Sequence, residues 1–299
     1  EDNNRAISQD ILLPWKSNKS KILNRYYHFF KKDEIINLIK LFKNVKIIDA
    51  SWHMPSSKRN AKQEFLNEHI EGSQFFDLDK NSDQTSNLPH MLPNAILWKE
   101  IISNFGITNE DHVVIYDDSD VISSCRCWYM FIYFGHDIKK ISVLDGGLRK
   151  WKKESKKLTN ELIKFKKSDY KVTENKELVK NKEQIDDNIS SFTFNLIDAR
   201  SKKRFDGLEQ EPRPGLRSGH IENSKCIPFV ECLNQDRCFK SKEELRQLFK
   251  NIDSDNKKND VFTCGSGVTA CVLALANFIA NDKKPIIYDG SWAEYGIIK

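Results

Sequence analysis

Lys46-Ile47-Ile48-Asp49-Ala50 and Asn195-Leu196-Ile197-Asp198-Ala199 are two short apolar runs that both end in Asp-Ala, and each is followed by a His-Ile pair, His69-Ile70 or His220-Ile221. A second apolar run comes next, Val113 to Asp117 in one copy and Val261 to Cys264 in the other. An apolar helical stretch and a third run closing in Asp-Gly, at Asp145-Gly146 and Asp289-Gly290, complete each copy. An offset of roughly 150 residues is too long for a solenoid and marks duplication of a whole domain. Short apolar strands alternating with helical stretches predict an α/β fold, in which each of two tandem domains is a parallel sheet flanked by helices on both faces. A chain of 299 residues suits two such cores of about 120 residues each.

The expected layout is residues 29–151 for the first domain, a Lys-rich, glycine-free linker over 152–175, and residues 176–299 for the second. Residues 1–28 surround the short run Ile11-Leu12-Leu13-Pro14 with Lys, Arg and Asn. They lack the apolar core of a secretory signal and are read as a disordered extension or an organelle-targeting remnant.

Composition removes several function classes. No apolar run approaches the roughly 20 residues of a membrane helix, so no membrane partner is expected. A charge of +5 arises from 48 basic and 43 acidic residues spread along the chain, without a basic stripe carrying aromatics. That argues against a nucleic-acid partner. Seven cysteines are too few for a disulfide scaffold and show no paired CxxC spacing, which predicts no metal, no cofactor and a reducing compartment, cytoplasmic or mitochondrial. Cys125, Cys127, Cys226, Cys232 and Cys238 lack a second ligand cluster and are read as buried or idle thiols. His69 and His220 close similar turns in both copies and are read as structural.

Aligned on the second strand, Cys264 of the second copy faces Asp117 of the first. Only the second domain can place a sulfur nucleophile there. Cys264-Gly265-Ser266-Gly267-Val268-Thr269-Ala270 lies between the strand Val261-Phe262-Thr263 and a helix expected to begin near Thr269. A strand that ends in Cys, turns through glycines and enters a helix surrounds the sulfur with backbone N-H donors and positive helix potential. Such a cradle favours thiolate, and the same amides of Gly265, Gly267, Val268 and Thr269 can hold an anionic substrate.

The loop CGSGVTA resembles that of the tandem rhodanese-type sulfurtransferases, as do Asp49-Ala50-Ser51-Trp52, His90-Met91-Leu92-Pro93, Leu144-Asp145-Gly146-Gly147, Glu211-Pro212-Arg213 and Tyr288-Asp289-Gly290-Ser291-Trp292. The likeness runs from about Asp33 to the C-terminus. It implies a first domain that shapes the cleft and a second that carries sulfur as a Cys264 persulfide. Thiosulfate-specific members have Arg and Lys directly after the Cys, where this chain has Gly265 and Ser266. Neutral residues there favour the branch that takes sulfur from 3-mercaptopyruvate and releases pyruvate. In that branch two arginines, matched by Arg204 and Arg213, meet the carboxylate and keto oxygen of the donor. A Ser-His-Asp relay matches Ser266, His90 and Asp79. The resemblance further implies a thiol acceptor, thioredoxin among them, or cyanide.

Two rival readings keep the fold. One is a thiosulfate sulfurtransferase; the other is a non-catalytic interaction module, although such modules typically lose the Cys. Fold-related phosphatases need an Arg at the sixth position after the Cys, and here that position is Ala270. The segment Asp117 to Cys125 is shorter than its family counterpart, and His-Ile-Pro-Gly-Ala is altered to His69-Ile70-Glu71-Gly72-Ser73 and His220-Ile221-Glu222-Asn223-Ser224.

Overall fold

The structure, a computed structural model, describes residues 44–252 and 257–298. The extension read at 1–28 and the beginning of the first copy lie outside the described residues. In the first copy, strands β1 (Val45–Asp49), β2 (Ser73–Phe75), β3 (His112–Tyr116) and β4 (Ile141–Val143) form a sheet in the order β2-β1-β3-β4. Helices α1 (Ala61–Asn67), α2 (Ala95–Asn104), α3 (Ser124–Tyr133) and α4 (Gly147–Lys153) connect and follow them. The second copy contains β5 (Val179–Lys180), α5 (Lys182–Ser191), β6 (Phe194–Asp198), α6 (Lys202–Phe205), β7 (Lys225–Cys226), α7 (Lys242–Lys250), β8 (Asn259–Thr263), α8 (Ala270–Asn281), β9 (Ile286–Tyr288) and α9 (Ser291–Tyr295). Its sheet order is β5-β9-β8-β6-β7. Every ladder is parallel.

Parallel strands need crossover connections, and these run through the helices. The strands accordingly read as unbroken apolar runs, such as the buried Val113 to Tyr116, because helices cover both faces of the sheet. Some helix starts carry side-chain caps: Asn94 accepts from the Leu97 N-H, and Ser241 with Glu244 forms a capping box. His69 and His220 play matching parts. Each bonds a phenylalanine carbonyl through Nδ1 and stacks on that ring, His69 on Phe65 at 4.1 Å and His220 on Phe205 at 4.0 Å.

The two copies share one core. Helices α3 and α8 are almost entirely buried and pack on each other, and Trp128 of α3 lies 5.9 Å from Phe278 of α8. One apolar cluster runs from Ile48 in the first sheet to Tyr288 in the second. The stretch after Trp151 is not free of the first copy: α4 continues to Lys153, Thr159 pairs with His69, and Tyr170 is buried with its hydroxyl 3.1 Å from His136 Nδ1. The chain thus crosses to the second copy along the first.

The repeated Asp-Ala strand ends carry different charges. Asp198 is held by Arg200, whose Nε and Nη2 donate to its carboxylate at distances down to 2.7 Å, with both side chains buried. Asp49 has Ser51 two residues on, whose N-H donates to its carboxyl at 2.9 Å. With no arginine there, burial pushes Asp49 from an ordinary 3.8 up to about 7. The folded state therefore keeps a proton that the unfolded chain releases, so stability from this group is lost as pH rises through that interval. Asp49→Asn should gain on the parent in urea-unfolding free energy as pH is raised from about 5 to about 8, by a few kcal/mol at most. A difference that does not change with pH would mean that Asp49 is already ionised at the lower value.

Candidate active site

Strand β8 leads into Cys264, which is 1% exposed, and the loop from Gly265 to Thr269 turns into α8. Gly267 adopts a left-handed φ of +74°, so the turn requires glycine. Ser291 braces the loop from behind. Its Oγ accepts from the Cys264 N-H at 3.2 Å and the Gly267 N-H at 3.1 Å, and donates to the Tyr288 carbonyl oxygen at 2.8 Å. Of the amides of Gly265, Gly267, Val268 and Thr269 that the sequence offers to an anion, that of Gly267 instead serves Ser291. Among the described residues the amides of Gly265, Ser266, Val268 and Thr269 have no protein acceptor, which leaves them as donors for the sulfur or an anionic ligand. Val268 contributes through its backbone, since its side chain is buried in the core.

The first copy builds the same corner around a carboxyl group. The Leu148 N-H donates to the Asp117 carbonyl oxygen as the Trp292 N-H does to that of Cys264, both at 2.9 Å. Asp117 then fills its own cradle, accepting from the N-H groups of Ser119 and Ser123 at 3.1 Å and from Ser124 Oγ at 2.7 Å. The shortened segment after Asp117 closes on that side chain.

Two guanidinium groups stand over the Cys264 loop. A Cβ placed on Gly265 would lie 3.3 Å from Arg204 Nη2 and 3.7 Å from Arg213 Nη1. Arg213 Nη2 also donates to Ser266 Oγ at 3.3 Å. Arg204 is held by Glu211, a carboxylate with a 1% exposed side chain that accepts from Arg200 Nη1 as well, at 2.7 Å. Burial, and then the neighbouring Arg204 charge, lower the proton affinity of Arg213. A bound anion would offset that cost.

His90 comes from the first copy. Its Nδ1 lies 3.0 Å from Ser266 Oγ, and its Nε2 lies 3.1 Å from Asp79 Oδ1. Trp52 Nε1 donates to the same Asp79 oxygen at 2.9 Å, and the Trp52 ring stands edge-on to the imidazole at 4.7 Å. The His90 hydrogen bond holds the Asp79 carboxyl below its usual range despite partial burial. An ionised Asp79 accepts the Nε2 proton, which leaves Nδ1 to accept from the Ser266 hydroxyl. Cys264, Ser266, His90, Asp79, Arg204 and Arg213 thus come together where the two copies meet. Burial pushes Cys226 and Cys271 up to about 12 and Cys125 and Cys127 well above the thiol range, so they are poor nucleophiles at neutral pH. No group of His, Cys, Asp or Glu among the described residues is arranged to hold a metal ion.

Sequence reasoning assigned no role to Ser291, Glu211, Asp289 or Arg126. Three of them lie inside motifs quoted for the resemblance, and the fourth announced itself as a lone charge in the apolar run from Cys125 to Tyr133. Comparison with known proteins agrees with the doubled plan. The family model for the rhodanese-like domain matches residues 32–154 and 175–297. The chain is 41% identical over 253 residues to the 3-mercaptopyruvate sulfurtransferase of Mus musculus, covering 84% of each protein. It is 39% identical over 265 residues to the thiosulfate sulfurtransferase of Rattus norvegicus, covering 88% of each. Its fold is similar to that of SseA from Escherichia coli, described with the 3-mercaptopyruvate sulfotransferases, at a TM-score of 0.78 and 32% identity, over 87% of this chain and 97% of that one.

Glu211 ties the arginine over the cleft to the fully buried Arg200, so its loss should be felt in the core. Glu211→Gln is expected to cost about 3 to 5 kcal/mol of stability in urea unfolding, the usual effect of removing one partner from a buried ion pair. Arg204→Ala, which keeps the pair between Glu211 and Arg200, should cost less. Equal losses would show that Arg204 is the main partner of this carboxylate.

Proposed function

The chain belongs to the rhodanese-like family as a tandem pair of its domains, and from that premise we propose that it takes sulfur from 3-mercaptopyruvate onto Cys264 and passes it to a thiol acceptor. The Cys264 thiolate attacks the donor sulfur, a Cys264 persulfide forms, and the carbon-sulfur bond breaks with its electrons passing to pyruvate enolate. The enolate carbon must then gain the proton that the donor thiol gives up. Arg204 and Arg213 clamp the carboxylate and keto oxygen, and the free loop amides stabilise charge developing beside the sulfur.

Family membership does not choose the donor, because relatives named for mercaptopyruvate and for thiosulfate are 41% and 39% identical to this chain. The observation that carries the choice is the chain of hydrogen bonds from Ser266 to His90 to Asp79. Thiosulfate releases sulfite, an anion that needs no proton, whereas an enolate does, and this chain of groups can move one. Neutral Gly265 and Ser266 add a second reason, since a dianion is better met by cations. A sulfur on a residue 1% exposed suits a slender acceptor such as a small thiol, cyanide or the protruding cysteine of a thioredoxin-like protein. Free thiols throughout the described residues suit a reducing compartment such as the cytoplasm or the mitochondrion.

Intact mass spectrometry after brief incubation with mercaptopyruvate should show a gain of about 32 Da, one sulfur atom, located at Cys264 and abolished by Cys264→Ser. Sulfur carried on Cys271 or Cys125 would sink the assignment, and an inert parent would favour an interaction module.

Donor choice is testable at the loop. Gly265→Arg with Ser266→Lys adds two charges beside the sulfur, and a unit pair about 4 Å apart interacts by several kcal/mol at an effective dielectric near 20. The ratio of kcat/KM for mercaptopyruvate over thiosulfate should fall at least about tenfold, helped by loss of the Ser266 hydroxyl and by crowding of Arg204. A parent that already prefers thiosulfate, or a ratio unchanged within about twofold, would hand the assignment to the thiosulfate reading.

A further inference from the structure

Arg126 stands within α3, an otherwise apolar helix, and is 0% exposed. Its Nη2 donates to the His90 carbonyl oxygen and, at 2.7 Å, to Asp289 Oδ1; its Nη1 donates to the Gly267 carbonyl oxygen at 3.4 Å. The second oxygen of that carboxylate, Asp289 Oδ2, accepts from the Leu92 N-H at 2.8 Å. One buried ion pair, with its arginine in the first copy and its aspartate in the second, therefore grips the turn from His90 to Leu92 at both ends. It also grips the Cys264 loop. A Cβ on Gly267 would meet Arg126 Nη1 at 3.1 Å and Asp289 Oδ1 at 3.3 Å, so the loop is packed directly on the pair. His90 is held with a left-handed φ of +61°, a conformation that side chains with a Cβ seldom adopt.

The duplicated chain provides its own control. In the second copy Arg237 occupies the place of His90 with the same φ of +61°, and the Phe239 N-H donates to Asp145 Oδ1 at 2.8 Å just as Leu92 does to Asp289. The helix residue after Cys125 is Arg126, and the one after Cys271, whose N-H makes the same bond three residues back, is Val272. Among the described residues Asp145 has no buried arginine partner like that of Asp289, and the charge that acts on it is that of Lys150. The backbone bond from the turn to the aspartate is therefore made on both sides, whereas the buried arginine is present only on the side that holds the sulfur.

We propose that Arg126 is a positioning residue for proton transfer: paired with Asp289, it sets the His90 imidazole against Ser266 without itself touching the donor. The inference rests on the mercaptopyruvate reading above. Arg126→Lys keeps the buried charge but replaces a planar fork by a point donor that cannot serve His90, Gly267 and Asp289 together. Turnover of mercaptopyruvate should fall about tenfold to a hundredfold in kcat with little change in KM, within the range that general acid-base catalysis supplies. In a His90→Ala background the same substitution should change kcat by less than about twofold, because the group it aligns is gone. Alkylation of Cys264 by iodoacetamide should stay within about threefold of the parent, since the thiolate keeps its loop amides.

Equal losses in both backgrounds, or alkylation that falls in step with turnover, would overturn the proposal in favour of a purely structural arginine. The His90 ring resonances, assigned by their disappearance in His90→Ala, need no donor at all. They should shift in Arg126→Lys, and unchanged resonances overturn the proposal whichever donor is used. A parent that takes no sulfur from mercaptopyruvate while the ring resonances still shift would fail the donor reading alone.

Discussion

A sulfur at the end of a strand, almost wholly removed from water, is the constraint on which the rest of the structure depends. Charge removed from water is costly unless fixed donors and cations surround it. Every notable choice around Cys264 meets that demand: a strand end, a glycine in the left-handed region, free amides, and a helix whose N-terminus opens beside the sulfur. The two arginines add charge, and Glu211 keeps one of them from collapsing onto the loop. The surroundings are fixed before any donor arrives, which is how preorganised sites avoid reorganisation during reaction.

The duplication shows what a shared fold leaves open. Both copies end their central strand at the same corner, yet one fills its cradle with the carboxyl of Asp117 and the other presents a sulfur. Both place a residue with a φ of +61° opposite the partner copy, His90 in one case and Arg237 in the other. Arg237 donates to the carbonyl oxygens of Ser119 and Asp120, fastening the first loop shut, while His90 reaches a hydroxyl. A handful of side chains thus gives the pair one cradle filled by a carboxyl group and one that presents a sulfur.

The strands, their parallel order of events and the Cys264 loop were legible because their determinants are local: apolar runs, glycines and an abrupt helix start follow one another in the chain. The roles of His90 and Asp79 came from resemblance, for His90 lies 176 residues from the hydroxyl it meets. Ser291 escaped because the Cys264 and Gly267 amides it accepts from, 27 and 24 residues earlier, reach it only through folding of the second copy, and the pair of Arg126 with Asp289 escaped because it forms only by packing of one copy on the other. Asp49 is a subtler case. Its Asp-Ala motif was visible, but its proton depends on the absence of the arginine that its counterpart Asp198 enjoys. The lysine-rich stretch after Trp151 reads by composition as a linker that can lie packed on the surface, and Tyr170 within it is fully buried. Lysines on its outer side hide that anchoring from a reading by composition.

The joint burial of α3 and α8 also has a meaning for the growing polypeptide. A chain is made from its N-terminus, and the first copy reaches solvent while α8 is still unmade. Until then the face of α3 carrying Trp128 has no apolar cover, and Arg126 has no aspartate beside it. The half that carries His90 therefore exposes this apolar face and an unpaired buried arginine until the half that carries Cys264 is made. Sharing one core makes the cleft rigid in the finished enzyme and makes its birth the vulnerable moment.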